Sequence, residues 1–286
     1  MASPHPRPSR HGLHAPRSRW RRLAARLSLA ATATLAGTLA AAPATGPLHD
    51  ARQLVVVVTP DWDASQGRLH RLQRSGETAP WIELASFDVG IGRQGSAWGT
   101  GLHPAGDEDA GPRKREGDGR SPAGVFALGP AFGYAAQADS GLPYLPMQAS
   151  HWCMDVPASP LYNRIVDTRE VGAAAVAGSS EPMRLDLHKD GDPRYRLGFV
   201  IGHNPGNVAG DGNCIFAHLR RRPGETTAGC TAMDEADMQA LLAWLDPARQ
   251  PRFVLLPQAQ YRRLAGAWGL PPLLPAADTA AAEPAP

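Results

Sequence analysis

Hydrophobic and polar positions alternate over short distances through most of this chain, and the apolar runs have the length of strands. QLVVVVT at 53–59 is a β-branched run. GRLHRL at 67–72, WIELA at 81–85 and FDVGIG at 87–92 follow it, separated by turn chemistry such as SQG and SGE, so the segment reads as a meander of strands. Further strands are predicted at VFAL (125–128), YRLGFVIGHN (195–204), CIFAHL (214–219) and RFVLLP (252–257). One segment has helical period instead. Met238, Leu241, Leu242 and Leu245 fall at i, i+3, i+4 and i+7, Asp234 is placed to cap the start with Asp237 at the third helical position, and Pro247 stops it. That stripe is core and is assigned no chemistry. The pattern predicts a mainly β protein with one amphipathic helix near the C-terminal end and no internal repeat.

Composition agrees, since Gly 30 and Pro 28 are spread along the chain as turns between short strands require. The glycine-, aspartate- and arginine-rich stretch 99–124 reads as an exposed loop with a solvated charge run. The first 44 residues stand apart: seven arginines, no lysine or acidic residue, an apolar run from Leu27 to Ala42, and small residues at Ala40, Ala42 and Ala44. This is the layout of a signal peptide. The run falls short of the ~20 apolar residues of a spanning helix, so no stable membrane span is expected after cleavage, an uncleaved anchor being the alternative. A catalytic-sized domain is expected over 45–266, and a Pro/Ala-rich disordered tail over 267–286. Without the seven leader arginines, 22 basic side chains face 27 acidic ones, a net of −5, and nothing argues for nucleic acid as a partner. The expected product is exported, to a periplasm or to the outside of a single-membrane cell, and monomeric.

Export sets an oxidising context in which three cysteines, Cys153, Cys214 and Cys230, leave at least one unpaired within the chain. Cys230 follows Gly229 in a turn a few residues ahead of the helix, and His218 ends a strand twelve residues earlier. A cysteine nucleophile needs access, a neighbour for its proton and N–H groups facing the developing oxyanion. His218 supplies the second, as an imidazolium that would lower the thiol pKa, and the N–H groups of Gly229 and Cys230 supply the third. Thr227 is placed to order the turn by a side chain to backbone hydrogen bond.

The string GNCIFAHLRRRPGETTAGCTAM (212–233) resembles the active-site segment of the YkuD-type L,D-transpeptidases, in which a strand histidine precedes a Ser/Thr-x-Gly-Cys turn. GDGRSPAGVFALG at 117–129, GRQGSAWGTGL at 92–102 and the YN at 162–163 extend the resemblance across roughly 50–257. It implies a β-sandwich-like catalytic domain, a Cys230 thioester formed on the stem tetrapeptides of peptidoglycan with release of D-alanine, His218 as base and acid, 3-3 crosslinks as product, and no cofactor. Two positions depart from the commonest family pattern: Ala228 stands where a histidine, and Ala232 where an arginine, is usual. Arg220, Arg221 and Arg222 are candidates to hold the substrate carboxylate in place of that arginine, the alternative being a solvated loop cluster. Cys153 and Cys214 are the expected disulfide, with two buried thiols as the alternative.

Other readings stay open at this level. A zinc site from Cys214, His218 and Cys230, with His203, has acceptable ligand types but the unfamiliar spacing C-x3-H-x11-C. Cys230 as a small core hydrophobe would be inert. Trp98 and Tyr162 with Asn163 are candidates for a peptide groove or for packing. A carboxypeptidase or endopeptidase on the same scaffold, or a non-catalytic wall-binding module, are the competing functions.

Overall fold

A computed structural model describes residues 46–104 and 111–273, all within a unit spanning Pro43–Pro286. The leader-like segment 1–44 and tail positions 274–286 lie outside the described residues. Thirteen strands are formed among the described residues: β1 (Gln53–Thr59), β2 (Gln66–Gln73), β3 (Ile82–Gly90), β4 (Ser96–Trp98), β5 (Ser121–Gly133), β6 (Tyr144–Pro146), β7 (His151–Cys153), β8 (Ile165–Asp167), β9 (Glu181–Pro182), β10 (Leu197–Ile201), β11 (Phe216–Leu219), β12 (Thr231–Met233) and β13 (Arg252–Pro257). Two short helices, α1 (Thr168–Val171) and α2 (Leu185–His188), and two longer ones, α3 (Glu235–Trp244) and α4 (Gln258–Trp268), accompany them. The protein is mainly β.

Eight of the strands close on themselves. The order runs β10, β11, β12, β3, β2, β1, β13, β5, and β5 pairs both with β13 and back onto β10, giving a barrel-like core. Closure is possible because β5 is thirteen residues long: its first half pairs with β13 at Val125 and Phe126, and its second with β10 at Ala131 and Phe132. In β1 the residues Leu54 to Val57 are wholly buried on both faces, which is why the sequence there is a continuous apolar run rather than an alternation. The segments WIELA and FDVGIG are one strand, β3, with a bulge opposite Arg71 and Leu72 that leaves Leu84 out of register.

Helix α3 presents Met238, Leu241 and Leu242 to the core, with Leu245 just past its end. Asp234 stands at its N-cap, yet its carboxylate makes no cap hydrogen bond because Arg220 takes it, with Nε 2.7 Å from Oδ1. Helix α4 starts inside the expected domain and runs past its expected end at 266. Trp268 and Leu270 are buried against the core and Tyr261 donates to the Pro271 carbonyl at 2.6 Å, so the ordered chain runs past 267, where the sequence places a disordered tail.

The stretch 99–124 is described at 99–104 and 111–124, and there it is no simple solvated loop. Lys114 is buried with its ammonium 2.6 Å from Asp118, and Gly124 packs so closely on the His103 ring that a Cβ would meet it at 2.1 Å. A second sheet of three strands, in the order β8, β7, β9, lies outside the ring; its Cys153 and the flanking Met147, Met183 and Leu185 share one buried cluster with Phe132 and Phe216.

Candidate active site

Strands β11 and β12 run parallel, with His218 opposite Ala232. Cys230 sits in the bend immediately before β12, so this pairing carries it to the strand that holds His218. The pairing therefore brings together a histidine and a cysteine twelve residues apart in sequence. Both line a cavity of about 410 Å³, His218 buried in its wall and Cys230 keeping part of its surface open to it.

The turn carrying Cys230 is pinned by two hydroxyls. Thr227 Oγ1 accepts the Gly229 N–H at 3.1 Å and donates to the Cys230 carbonyl at 2.6 Å. Ser121, the serine of the SPAG segment at the start of β5, accepts the Gly92 N–H at 2.9 Å and donates to the same carbonyl at 3.1 Å. A Cβ at Gly229 would stand 3.1 Å from the Arg120 carbonyl and 3.3 Å from Ile215 Cδ1, so any side chain here would be tightly placed. Thr227 thus engages the Gly229 N–H that the sequence argument assigns to the developing oxyanion. The sulfur itself accepts the Phe216 N–H at 3.3 Å, and its S–H reaches the Cys214 carbonyl at 3.6 Å.

His218 Nδ1 lies 2.8 Å from the Leu219 carbonyl. A carbonyl only accepts, so Nδ1 carries the proton and the neutral ring keeps an acceptor lone pair on Nε2. Burial lowers the imidazole pKa to about 4, the Leu219 hydrogen bond opposing it and the Arg194 charge adding to it. Burial likewise pushes the Cys230 thiol up to about 12, against the help of the Phe216 N–H. The resting pair is consequently a thiol beside a neutral imidazole. The sequence argument expects an imidazolium that lowers the thiol pKa; the structure corrects it, because both groups sit where either charge is poorly solvated. Tyr195 closes the wall behind them, its ring 5.5 Å from that of His218 and its hydroxyl donating to Glu181 Oε1 at 2.6 Å.

The cavity carries both signs of charge. Lys114, Lys189 and Arg194 line it together with Glu116, Asp155 and Glu181. Arg194 is held by a fork onto Asp192, with Nε 2.9 Å and Nη2 2.7 Å from Oδ2, so its guanidinium is fixed before any ligand arrives. The three arginines nominated from sequence are elsewhere. Arg220 is spent on Asp234, Arg221 binds Glu225 with Nε 2.7 Å from Oε1, and Arg222 is exposed on the loop; none lines the cavity. Arg194 carried no sequence signal beyond lying next to the turn-like DGD of 190–192, whose Asp192 proves to be its partner.

Cys153 of β7 and Cys214 are joined in a disulfide, Cα atoms 6.0 Å apart, and Cys230 is the free cysteine. With its sulfur so bonded Cys214 is no zinc ligand, and among the described residues no group of three His, Cys, Asp or Glu side chains is arranged to hold a metal ion. The Tyr162–Asn163 pair builds the loop that delivers Cys214: Asn163 Oδ1 accepts the Cys214 N–H at 2.9 Å, while its Nδ2 donates to the His203 and Asn204 carbonyls. Tyr162 is buried and bonded to Glu116, and Trp98 is buried in edge contact with Trp62 at 5.2 Å, so both are packing residues rather than groove walls. No helix of the described residues is long and apolar enough to cross a membrane. Comparison with known proteins adds nothing to this geometry, since no family profile and no curated protein sequence matches the chain.

Proposed function

We propose that this chain is an exported cysteine acyltransferase of the L,D-transpeptidase type, acting on the stem peptides of peptidoglycan. The observation that carries the reading is the pair on one cavity wall: a free thiol held in a hydroxyl-pinned turn and a neutral imidazole with Nε2 unprotonated. On this reading the eight-strand ring is the sandwich-like catalytic domain of that family, working in the periplasm or at the wall as a monomer. No cofactor enters the steps below.

Cys230 Sγ attacks the carbonyl carbon of the third stem residue as the thiol proton passes to His218 Nε2, forming a C–S bond and an oxyanion. With Gly229 spent on Thr227, the N–H of Cys230 is the backbone donor assigned to that oxyanion. Collapse breaks the C–N bond to the terminal D-alanine, whose amine leaves with the proton from His218. Attack on the thioester by an amine of a second stem, its proton taken by His218 and passed to the Cys230 sulfur as the C–S bond breaks, gives the 3-3 crosslink; attack by water in the same way gives a trimmed tripeptide. A pair that is neutral at rest suits this sequence, because the base is available at any pH above its depressed pKa. Arg194, preset by Asp192 on the cavity wall, is the guanidinium assigned to the substrate carboxylate in place of the arginine that Ala232 replaces.

Mass spectrometry of purified tetrapeptide muropeptides after incubation with the protein, beside a Cys230→Ala control, tests the reading. Cys230-dependent dimers lacking one D-alanine are the expected product. Monomeric tripeptides alone would turn the assignment to a carboxypeptidase, and the absence of both products and of an acyl-enzyme mass would remove stem peptides as the substrate.

A further inference from the structure

The disulfide and the free thiol are neighbours, and one residue connects them. Cys214 is held at φ +51°, in the left-handed region that a side chain bearing a Cβ seldom adopts. Three attachments keep it there: its sulfur is bonded to Cys153 in β7, its N–H donates to Asn163 Oδ1 at 2.9 Å, and its carbonyl takes the Cys230 S–H at 3.6 Å. Two residues on, the Phe216 N–H donates to the same sulfur at 3.3 Å. Both backbone groups that touch Cys230 Sγ thus lie within a three-residue stretch whose first member is anchored by the disulfide. The other end of that bond is in the small sheet outside the ring, which with its flanking residues also supplies Asp155, Ser180 and Glu181 to the cavity.

We propose that the Cys153–Cys214 disulfide is a redox latch on the nucleophile, with Cys214 as a positioning residue that holds its own carbonyl and the Phe216 N–H against Cys230 Sγ. The proposal rests on the reading of Cys230 as the nucleophile. Reduction by a dithiol breaks the S–S bond, delivers two electrons and two protons to give two thiols, and turns the dithiol into its own disulfide. The left-handed residue then relaxes, the two contacts to Sγ are lost together, and the small sheet stays tied to the ring through the Tyr195–Glu181 hydrogen bond and apolar packing. Besides these contacts, the groups facing the sulfur are His218 on β11, Glu181 on β9, Arg194 and Tyr195 in the turn before β10, and Lys114 in the segment before β5. Reduction leaves all of these in the chain, so a change in Cys230 behaviour reports the release of Cys214.

The test uses the full chain in three forms: oxidised, reduced with dithiothreitol, and Cys153→Ser/Cys214→Ser, each at a temperature where its melting curve shows it folded. The rate of Cys230 alkylation by iodoacetamide is followed against pH by peptide mass spectrometry, alongside acyl transfer on stem peptides. Release of the latch lets water reach the sulfur, so the alkylation midpoint should fall toward the ordinary thiol range by about one pH unit or more in both unlatched forms. Acyl transfer should fall by about tenfold or more, and reoxidation of the wild-type chain should restore both. A disulfide that serves only as a staple would lower the melting temperature and leave midpoint and turnover in place, which would overturn the proposal. If the double variant does not fold, Cys153→Ser alone carries the test, read at Cys230 by peptide mass spectrometry at a temperature where the variant is folded: a lowered midpoint supports the latch and an unchanged one refutes it. Absence of turnover in the oxidised protein would count against the stem-peptide reading alone, because the alkylation midpoint is measured without substrate.

Discussion

Two buried histidines in this protein invite comparison. His203 and His218 are both almost wholly enclosed, both hydrogen-bond a backbone carbonyl, and in both burial lowers the imidazole pKa to about 4. They differ in what is left over. His203 accepts the Thr100 N–H on Nδ1 at 3.3 Å and donates from Nε2 to the Asp211 carbonyl at 2.8 Å, so both ring nitrogens are used. His218 spends only Nδ1, and its ring lines the same cavity as a free thiol. Burial and a displaced pKa therefore do not distinguish a structural histidine from a chemical one. The count of ring nitrogens left for a ligand does.

The strongest way to break this comparison is to exchange the fates of the two residues. His218→Gln should lower acyl transfer by roughly 10²- to 10⁴-fold with little change in the melting curve, whereas His203→Gln should lower the melting temperature and leave turnover within a few-fold. Equal kinetic losses in the two variants would show that the assignment of roles is wrong.

Acid should unfold the protein through both residues. Each has a folded pKa below its unfolded value, so the unfolded chain binds the extra proton between about pH 6.5 and 4, and stability present above that window is lost as pH falls through it. The loss should be on the order of 3 kcal/mol per histidine by pH 4, and urea midpoints measured across this range should drop less steeply in either His→Gln variant.

A smaller effect should follow from the turn. Ser121→Ala and Thr227→Val each remove a hydroxyl from the Cys230 carbonyl, costing about 1 kcal/mol of stability and lowering kcat, with Thr227→Val the worse because the Gly229 N–H also loses its acceptor. Steady-state kinetics set beside melting curves would separate the two consequences. Smallest of all should be Arg222→Ala, a loop substitution expected to change stability by no more than about 0.5 kcal/mol and to leave KM unaltered. A raised KM in that variant would return the loop arginines to the site.

What the sequence made legible was whatever repeats locally. The apolar run of β1, the alternation of β2 and the stripe of α3 were each readable because a period of two or 3.6 leaves its mark within a few residues. The thiol and imidazole were readable for a different reason, since glycine before a cysteine and a histidine at a strand end are short-range signatures. Ring closure was not readable, because it depends on β5 being long enough to serve β13 and β10 at once, and VFAL marks only the middle of it. Arg194, Glu181 and Tyr195 were missed because they reach the cavity from the small sheet and the turn that follows it, placements that no local pattern encodes. The charge state of the pair was misread for a related reason: desolvation is a property of the packed wall, and sequence proximity to an imidazole says nothing about it.

The partnership of β1 with β13 has one more consequence. Leu54 lies opposite Arg252, so the first strand of the ring must wait for nearly two hundred further residues before one of its two edges is covered. Until then Val55 to Val57 belong to an open, apolar β-edge of the kind that recruits other chains. Assembly of the ring is accordingly a late, long-range event in which loop-closure entropy sets the pace. A nascent chain that stops short of β13 has Cys230 and His218 already synthesised but no closed barrel to hold them, so on the proposed reading chemical competence waits for β13.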